Sequence, residues 1–409
     1  MEKAQFCGIK LLERKQQKIL KKMKKYNILF FSSGRSDYEL IKPIINQFKR
    51  YKNFNCYLIL TGSHLSKKHG KTLNQVDYSS IKQIYKIDIE CDEVDYDDLN
   101  FNFVLAQKKF EKFLKKKKID LAVILGDRYE ALAFGLCCFF QKIKIAHIHG
   151  GEITQGAIDD TIRHTLTKLS NIHHVSNSEH KKRVIQLGED PKTIKIVGLL
   201  GLENISKMKF LNRKFISEKL KINQHKKNIL ISYHPVTKLS KKENIYQFSQ
   251  LLNSLKKFSN LNIIFTSPNI DPGNKEIIFQ IKKFLKKNKN SYFFHSLGQQ
   301  IFFSLAKESE IFIGNSSSGI MEIPFLNVPV INIGSRQKNR FNFSDILHVE
   351  AKNQKITNAI KKKLNNRNKV TAYIKKKNTS NIISQNIIYF LKHSNKFKEK
   401  IFYDLKDKY

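Results

Sequence analysis

Short apolar runs recur along the chain and alternate with stretches of helical character. The first series is NILFFS (27–32), CYLILT (56–61), DLAVIL (120–125), KIAHIH (144–149), IHHVS (172–176) and KIVG (195–198). After a basic stretch the alternation restarts with NILISY (228–233), NIIFTS (262–267), YFFH (292–295), EIFIG (310–314) and VINIG (330–334). These runs are continuous rather than alternating in polarity, which is the signature of strands buried on both faces of a parallel sheet. Regular alternation of β and α elements predicts an α/β architecture. The pause near Gly198–Phe215 divides it into two doubly wound domains, over 25–200 and 201–375. A basic extension (1–24) and a helical, basic tail (376–409) flank them.

Almost every unusual polar cluster directly follows one of these runs: SSGRSDYE, TGSHLS, GDRYE, HGGE, HPVT, SPNIDPG, GNSSSG and GSRQKNR. Open parallel sheets bind ligands beyond the carboxyl ends of their strands. Two such sheets facing each other bring both sets of clusters to one cleft. The densest cluster, HIHGGEITQGAIDDTIRH (147–164), concentrates histidines, acids and an arginine able to move or hold protons.

Composition narrows the picture. A chain of 409 residues is long for one core, and no apolar run approaches the roughly 20 residues of a membrane span. The opening MEKAQFCGIKLLERKQQKILKKMKK lacks the apolar centre of a secretory signal. Cys7, Cys56, Cys91, Cys137 and Cys138 show no CxxC spacing, as expected of a reduced cytoplasmic protein. The net charge of +40 invites a nucleic-acid reading, but only ten of the 75 basic residues are arginine. The lysines are spread in runs, the mark of solvated faces. Where charge suffices this chain writes Lys, so a retained Arg points to fork geometry that Lys lacks. Arg35, Arg128, Arg163, Arg336 and Arg340 all sit in or just beyond the polar clusters.

Each cluster has its own chemistry. GNSSSGIMEIP (314–324) offers hydroxyls and backbone N–H groups ahead of a helix, an arrangement that attracts phosphate, although it is also an ordinary Ser or Asn cap. It lacks a P-loop lysine, so ATP hydrolysis is not indicated. Glu322 is expected about two turns into that helix, where it would accept from ribose hydroxyls. Asp127 and Arg128 pair an acid with a guanidinium at a strand end, suited to proton transfer and phosphate clamping. His234 ends its strand ahead of a stiffening proline. His147 and His149 form an HxH with no third ligand at metal-site spacing, so no metal is expected. No GxSxG nucleophile motif is present.

Taken in order, GRSDYE, TGSHL, LGDRYE, HIHGGE, IDDTIRH, KKRVIQLGE, HPVT, PNID, GNSSSGIMEIP and NIGSRQ resemble the hydrolysing UDP-N-acetylglucosamine 2-epimerases over residues 25–375. Residues 1–22 fall outside the resemblance, and Met23 is an alternative start. The resemblance implies two Rossmann-like domains in a glycosyltransferase-B arrangement with the active site between them. It implies loss of UDP from C1 with removal of the C2 proton, giving a 2-acetamidoglucal that water converts to the free manno sugar. By the same resemblance Asp127, Glu152 and Asp159 are acid/base candidates, and His234 lies near the anomeric phosphate. Arg35, Arg128, Ser316, Ser317 and Arg336 are pyrophosphate or sugar-phosphate contacts, with Asn269 and Glu322 as further contacts to the nucleotide sugar. Several relatives carry HIEGGE where this chain has HIHGGE, so the role of that Glu passes to His149 or a neighbouring carboxylate. His234–Pro235, rather than His-Arg, favours the hydrolysing branch. No cofactor is implied, and a homo-oligomer is. UDP-N-acetylglucosamine and UDP-N,N′-diacetylbacillosamine both remain open as substrates for sialic- or legionaminic-type sugar synthesis. A glycosyltransferase of the same fold is the enzymatic rival, and a nucleic-acid binder the other.

Overall fold

The computed structural model describes residues 24–66, 73, 76–89, 98–269, 271–340, 346–365, 378–397 and 399–405. The N-terminal extension before Lys24, together with Cys7 and Cys91, lies outside these residues.

Thirteen strands form two sheets among the described residues. The first contains β1 (Tyr26–Ser32), β2 (Phe54–Leu60), β3 (Gln83–Lys86), β4 (Leu121–Leu125), β5 (Lys144–Ile148), β6 (Ile172–Val175) and β7 (Ile194–Ile196). Their order is β3-β2-β1-β4-β5-β6-β7. The second contains β8 (Asn228–Ser232), β9 (Asn262–Thr266), β10 (Ser291–Phe294), β11 (Ser309–Gly314), β12 (Val330–Ile333) and β13 (Leu347–Val349), in the order β10-β9-β8-β11-β12-β13. Every recorded pairing is parallel. Each order reverses direction at its first strand, at β1/β4 and at β8/β11, and that reversal opens a crevice at the strand ends.

The apolar runs are continuous because both faces of each sheet are covered. Ile28 and Phe30 of β1 belong to one core, Leu29 and Phe31 to another on the opposite face. In β11, Ile311 and Ile313 pack on one side and Phe312 on the other. The period-two geometry of a strand dictates this split. Phe31 shows how tightly the layers fit: its ring stacks on Phe134 at 4.7 Å and meets Phe110 edge-on at 5.7 Å.

Two stretches tie the domains together. The helix Leu200–Lys207 gives Leu200 to the first domain's core and Ile205 to the second's. The helix Thr379–Lys392 returns to the first domain, where Ile383, Ile387 and Leu391 pack beneath β1 and the helix Arg35–Gln47.

Candidate active site

Three strands of the first sheet and four of the second deliver the site. Arg35 opens the helix after β1, Asp127 and Arg128 follow β4, and His149 and Glu152 follow β5. Asp159 is the first residue of the helix Asp159–Leu169, and Arg163 lies one turn further along. From the second domain His234 follows β8, Asn269 follows β9, Ser316 and Ser317 follow β11, and Arg336 follows β12. All of them, with Glu322, line two adjoining chambers of about 180 and 240 Å³ between the domains. Ser36, Leu40, Asn269, Ser317, Glu322 and Arg336 belong to both chambers, so the two form one cleft.

The inner chamber concentrates ionisable side chains. Buried Arg163 donates to the Asp127 carboxylate, to Thr154 Oγ1 at 3.0 Å and to the Glu152 carbonyl at 2.9 Å. Burial raises the proton affinity of Asp127, but Arg163 and Arg340 outweigh it and hold the carboxyl below its ordinary range. Asp159 goes the other way: burial, followed by the charges of Asp127 and Asp271, pushes it up to about 6. Glu152, 1% exposed, is gripped by Arg340 and accepts from Ser176 Oγ at 3.3 Å. Burial opposes its ionisation, yet Arg340 and the neighbouring cations hold it well below the carboxylate range.

His149 stands at φ +67°, a left-handed conformation uncommon for a non-glycine residue, and opens the turn that Gly151 (φ +77°) completes. A Cβ on Gly151 would meet the His180 carbonyl at 2.3 Å, so glycine is sterically required at that position. The turn brings His149 Nδ1 to 3.5 Å from Glu152 Oε1 and leaves Nε2 buried without a hydrogen-bond partner. Burial lowers the imidazole's proton affinity, so the ring is neutral near pH 7. His147 is committed to the fold, with Nε2 2.9 Å from the Gly126 carbonyl and Nδ1 3.2 Å from Thr167 Oγ1.

The outer chamber carries cations and hydroxyls. Asn315 fixes His234 through both backbone groups, accepting from its N–H at 2.7 Å and donating to its carbonyl at 2.8 Å. His234 Nδ1 accepts from the Asn269 N–H at 2.9 Å, which leaves Nε2 as the protonated nitrogen, 3.4 Å from Ser232 Oγ. Burial, then Arg336 and Arg128, keep this ring neutral. Arg336 donates to the Asn315 carbonyl at 3.2 Å while its buried Nε has no partner. Arg35 crosses the cleft to Ser296. Arg128, on the wall of the inner chamber, is held by Glu130 at 3.2 Å.

Two features differ from the sequence reading or escaped it. Glu322 is not two turns into a helix: the segment Ser317–Met321 is five residues long and Glu322 is its C-cap. Pro324 sets this limit, because the chain ahead of a proline is pushed away from α geometry, and a 3₁₀ turn follows. Glu322 remains buried on the cleft wall, with burial raising its carboxyl above the usual range. Asp271 received no role from the sequence, although it belongs to the quoted PNID cluster. Its carboxylate lies 3.8 Å from Arg128 of the first domain and 3.9 Å from Arg336 of the second, and it helps lift Asp159.

Known proteins resemble this chain in sequence and in fold. The family model described as UDP-N-acetylglucosamine 2-epimerase matches residues 46–387. A Campylobacter jejuni protein named GDP/UDP-N,N′-diacetylbacillosamine 2-epimerase (hydrolyzing) is 37% identical over 80% of this chain and 85% of its own. A Neisseria meningitidis UDP-N-acetylglucosamine 2-epimerase is 29% identical over 81% of this chain and 86% of its own. Among solved structures, the N. meningitidis UDP-GlcNAc 2-epimerase bound to UDP-GlcNAc superposes with a TM-score of 0.70 at 18% identity, covering 89% of this chain and all of that one. The fold is therefore the two-domain glycosyltransferase-B type, and the chain belongs to the UDP-N-acetylglucosamine 2-epimerase family.

Proposed function

We propose that the protein is a hydrolysing 2-epimerase that converts UDP-N-acetylglucosamine and water to N-acetylmannosamine and UDP. The observation that carries this reading is the pair Asp127 and Asp159, whose surroundings drive their proton affinities apart in one cleft. Carboxyls separated in this way are suited to accept one proton and donate another. In the elimination, the C2–H proton leaves to an acceptor, the electron pair forms the C1=C2 bond, and the C1–O bond breaks to release UDP. In the hydration, water adds OH to C1 and a proton arrives at C2 from the opposite face.

Ionised Asp127 and the unpartnered Nε2 of His149 supply acceptors for the first step, and Asp159, whose raised proton affinity suits it to take up and release a proton, supplies the donor for the second. Glu152 works as an ionised anchor that holds Nδ1–H of His149, rather than as a proton carrier. Arg35, Arg128 and Arg336, with Ser316, Ser317 and Nε2–H of His234, surround the place for a leaving pyrophosphate, while Asn269 and Glu322 face the nucleotide sugar.

The relative at 37% identity supports the same reaction on UDP-N,N′-diacetylbacillosamine as the second reading. Buried, unpaired Cys56, Cys137 and Cys138 support a reducing, cytoplasmic setting. Among the described residues no helix is long and apolar enough to cross a membrane. Exposed Phe101, Val104, Phe139 and Phe140, on the packed helices Asp98–Leu114 and Tyr129–Phe140, support docking of a second copy.

Each sugar nucleotide incubated alone in deuterated water decides the matter by NMR. The expected product is a free manno-configured sugar carrying deuterium at C2, formed without an acceptor. Product lacking C2 deuterium excludes elimination, and transfer that requires an acceptor identifies a glycosyltransferase.

A further inference from the structure

The KKRVIQLGE motif (181–189) contributes nothing to the cleft walls, yet its last two residues are tightly constrained. Gly188 stands at φ +79°, and a Cβ there would sit 2.3 Å from the ring of Phe402. Its carbonyl accepts from the Tyr403 N–H at 2.9 Å. The Glu189 carboxylate, 3% exposed, accepts from Lys168 at 2.7 Å, pairs with His173 Nε2 at 3.0 Å and meets Lys400 at 2.7 Å. Gly188 and Glu189 are thus the dock for the segment 399–405, and Lys168 lies over the Phe402 ring at 5.0 Å.

Lys400 does more than pair with Glu189. Its ammonium donates to the carbonyls of Lys168 and Ser170, at 2.5 Å each, and approaches that of Thr167 at 3.5 Å. These carbonyls close the helix Asp159–Leu169, whose last turn has no intrahelical donors to satisfy it. Ser170 covers two neighbours, Oγ donating to Leu166 at 2.7 Å and N–H to Thr167 at 3.1 Å. Lys400 covers the Lys168 carbonyl and places its charge where the helix dipole is negative. The same helix carries Asp159 at its first residue and Arg163 one turn on.

We propose that the segment 399–405 is a strap whose Lys400 is a positioning residue: it caps the far end of this helix and so fixes Asp159 and Arg163 in the cleft. The helix is about 16 Å long and moves as a rod, so release at one end shifts the other. A misplacement of about 1 Å costs a reaction about 10²-fold. The effect on turnover rests on the epimerase reading above; the hold on the helix does not.

The test compares wild type with Lys400→Met, Lys400→Arg and Phe402→Ala by amide hydrogen exchange over 159–169 and by steady-state kinetics. Lys400→Met is expected to speed exchange in that helix at least about tenfold and lower kcat about tenfold or more, with KM changed less than about twofold. Lys400→Arg restores most of both, and Phe402→Ala, which loosens the dock without touching the ammonium, moves both in the same direction. Should Lys400→Met fail to fold, Phe402→Ala supplies the same two readouts. Unchanged exchange in the helix overturns the proposal, and so does faster exchange with unchanged kcat. If wild type turns over neither sugar nucleotide, the epimerase reading falls, while the exchange data still decide whether Lys400 holds the helix.

Discussion

Asp127 and Asp159 carry the same carboxyl group, and their different neighbours set their roles. Asp127 faces Arg163 and Arg340; Asp159 is buried against two other carboxylates. The pH dependence follows from the sign of the shift. A carboxyl raised from 3.8 to about 6 favours the folded state below pH 4, and that contribution is lost as pH rises through 6. Asp159→Asn removes the penalty of burying an ionised group, so the variant should be more stable than wild type above pH 7, by up to about 3 kcal/mol, and equal to it near pH 3. Denaturant titrations at the two pH values check this, and a variant less stable at both would contradict it. Its turnover should nevertheless fall about 10²–10⁴-fold. Asp127 stood out in the sequence as an acid beside an arginine at a strand end, whereas Asp159 entered only through the family resemblance. The direction of each shift was not legible, since it depends on burial and on the balance of neighbours that include Asp271 and Arg340 from the other domain.

At the scale of elements, the continuous apolar runs marked β1, β2, β4–β6, β8, β9, β11 and β12 because both faces of those strands are covered, while the edge strands β7 and β10 were marked by their short apolar runs KIVG and YFFH alone. β3 and β13 escaped notice for the opposite reason. They are sheet edges of four and three residues with exposed or half-exposed positions throughout, and QIYK and LHV carry too little apolar signal. Connections between strand ends were equally invisible, and Asn315 is the instructive case. Its amide joins the end of β11 to the end of β8 by satisfying both backbone groups of His234. Asn315→Ala leaves a buried N–H and a buried C=O unpaired, at about 1–3 kcal/mol each. The variant should lose about 2–6 kcal/mol, read as a lower urea midpoint with an unchanged slope. Because His234 loses its tether, UDP affinity should fall as well. Stability lost without any change in UDP affinity would separate this tether from the nucleotide chamber.

The whole molecule is two sheets meeting through polar contacts rather than through a shared apolar core. Arg35 reaches Ser296 and Arg340 reaches Glu152 across the cleft; Lys238 and Asn339 both hold Gln155 at 2.7 Å, and Thr237 accepts from the Ile158 N–H at 3.1 Å. Such an interface is held weakly, and a ligand bridging both domains should tighten it. A ligand that binds only the folded state at 100 times its Kd adds about 2.7 kcal/mol, so the melting temperature should climb with the logarithm of UDP concentration. The arginines make this prediction specific to phosphate. Arg128 and Arg336 are drawn toward the single carboxylate of Asp271, at 3.8 and 3.9 Å, whereas a pyrophosphate offers each guanidinium a pair of oxygens. Uridine should therefore protect far less than UDP at equal concentration. Arg336→Lys keeps the charge but loses the fork, and should weaken UDP binding by about 1–3 kcal/mol in calorimetry while leaving uridine binding unchanged. Equal protection by uridine and UDP would mean that the base alone is bound and that these arginines serve only to join the domains.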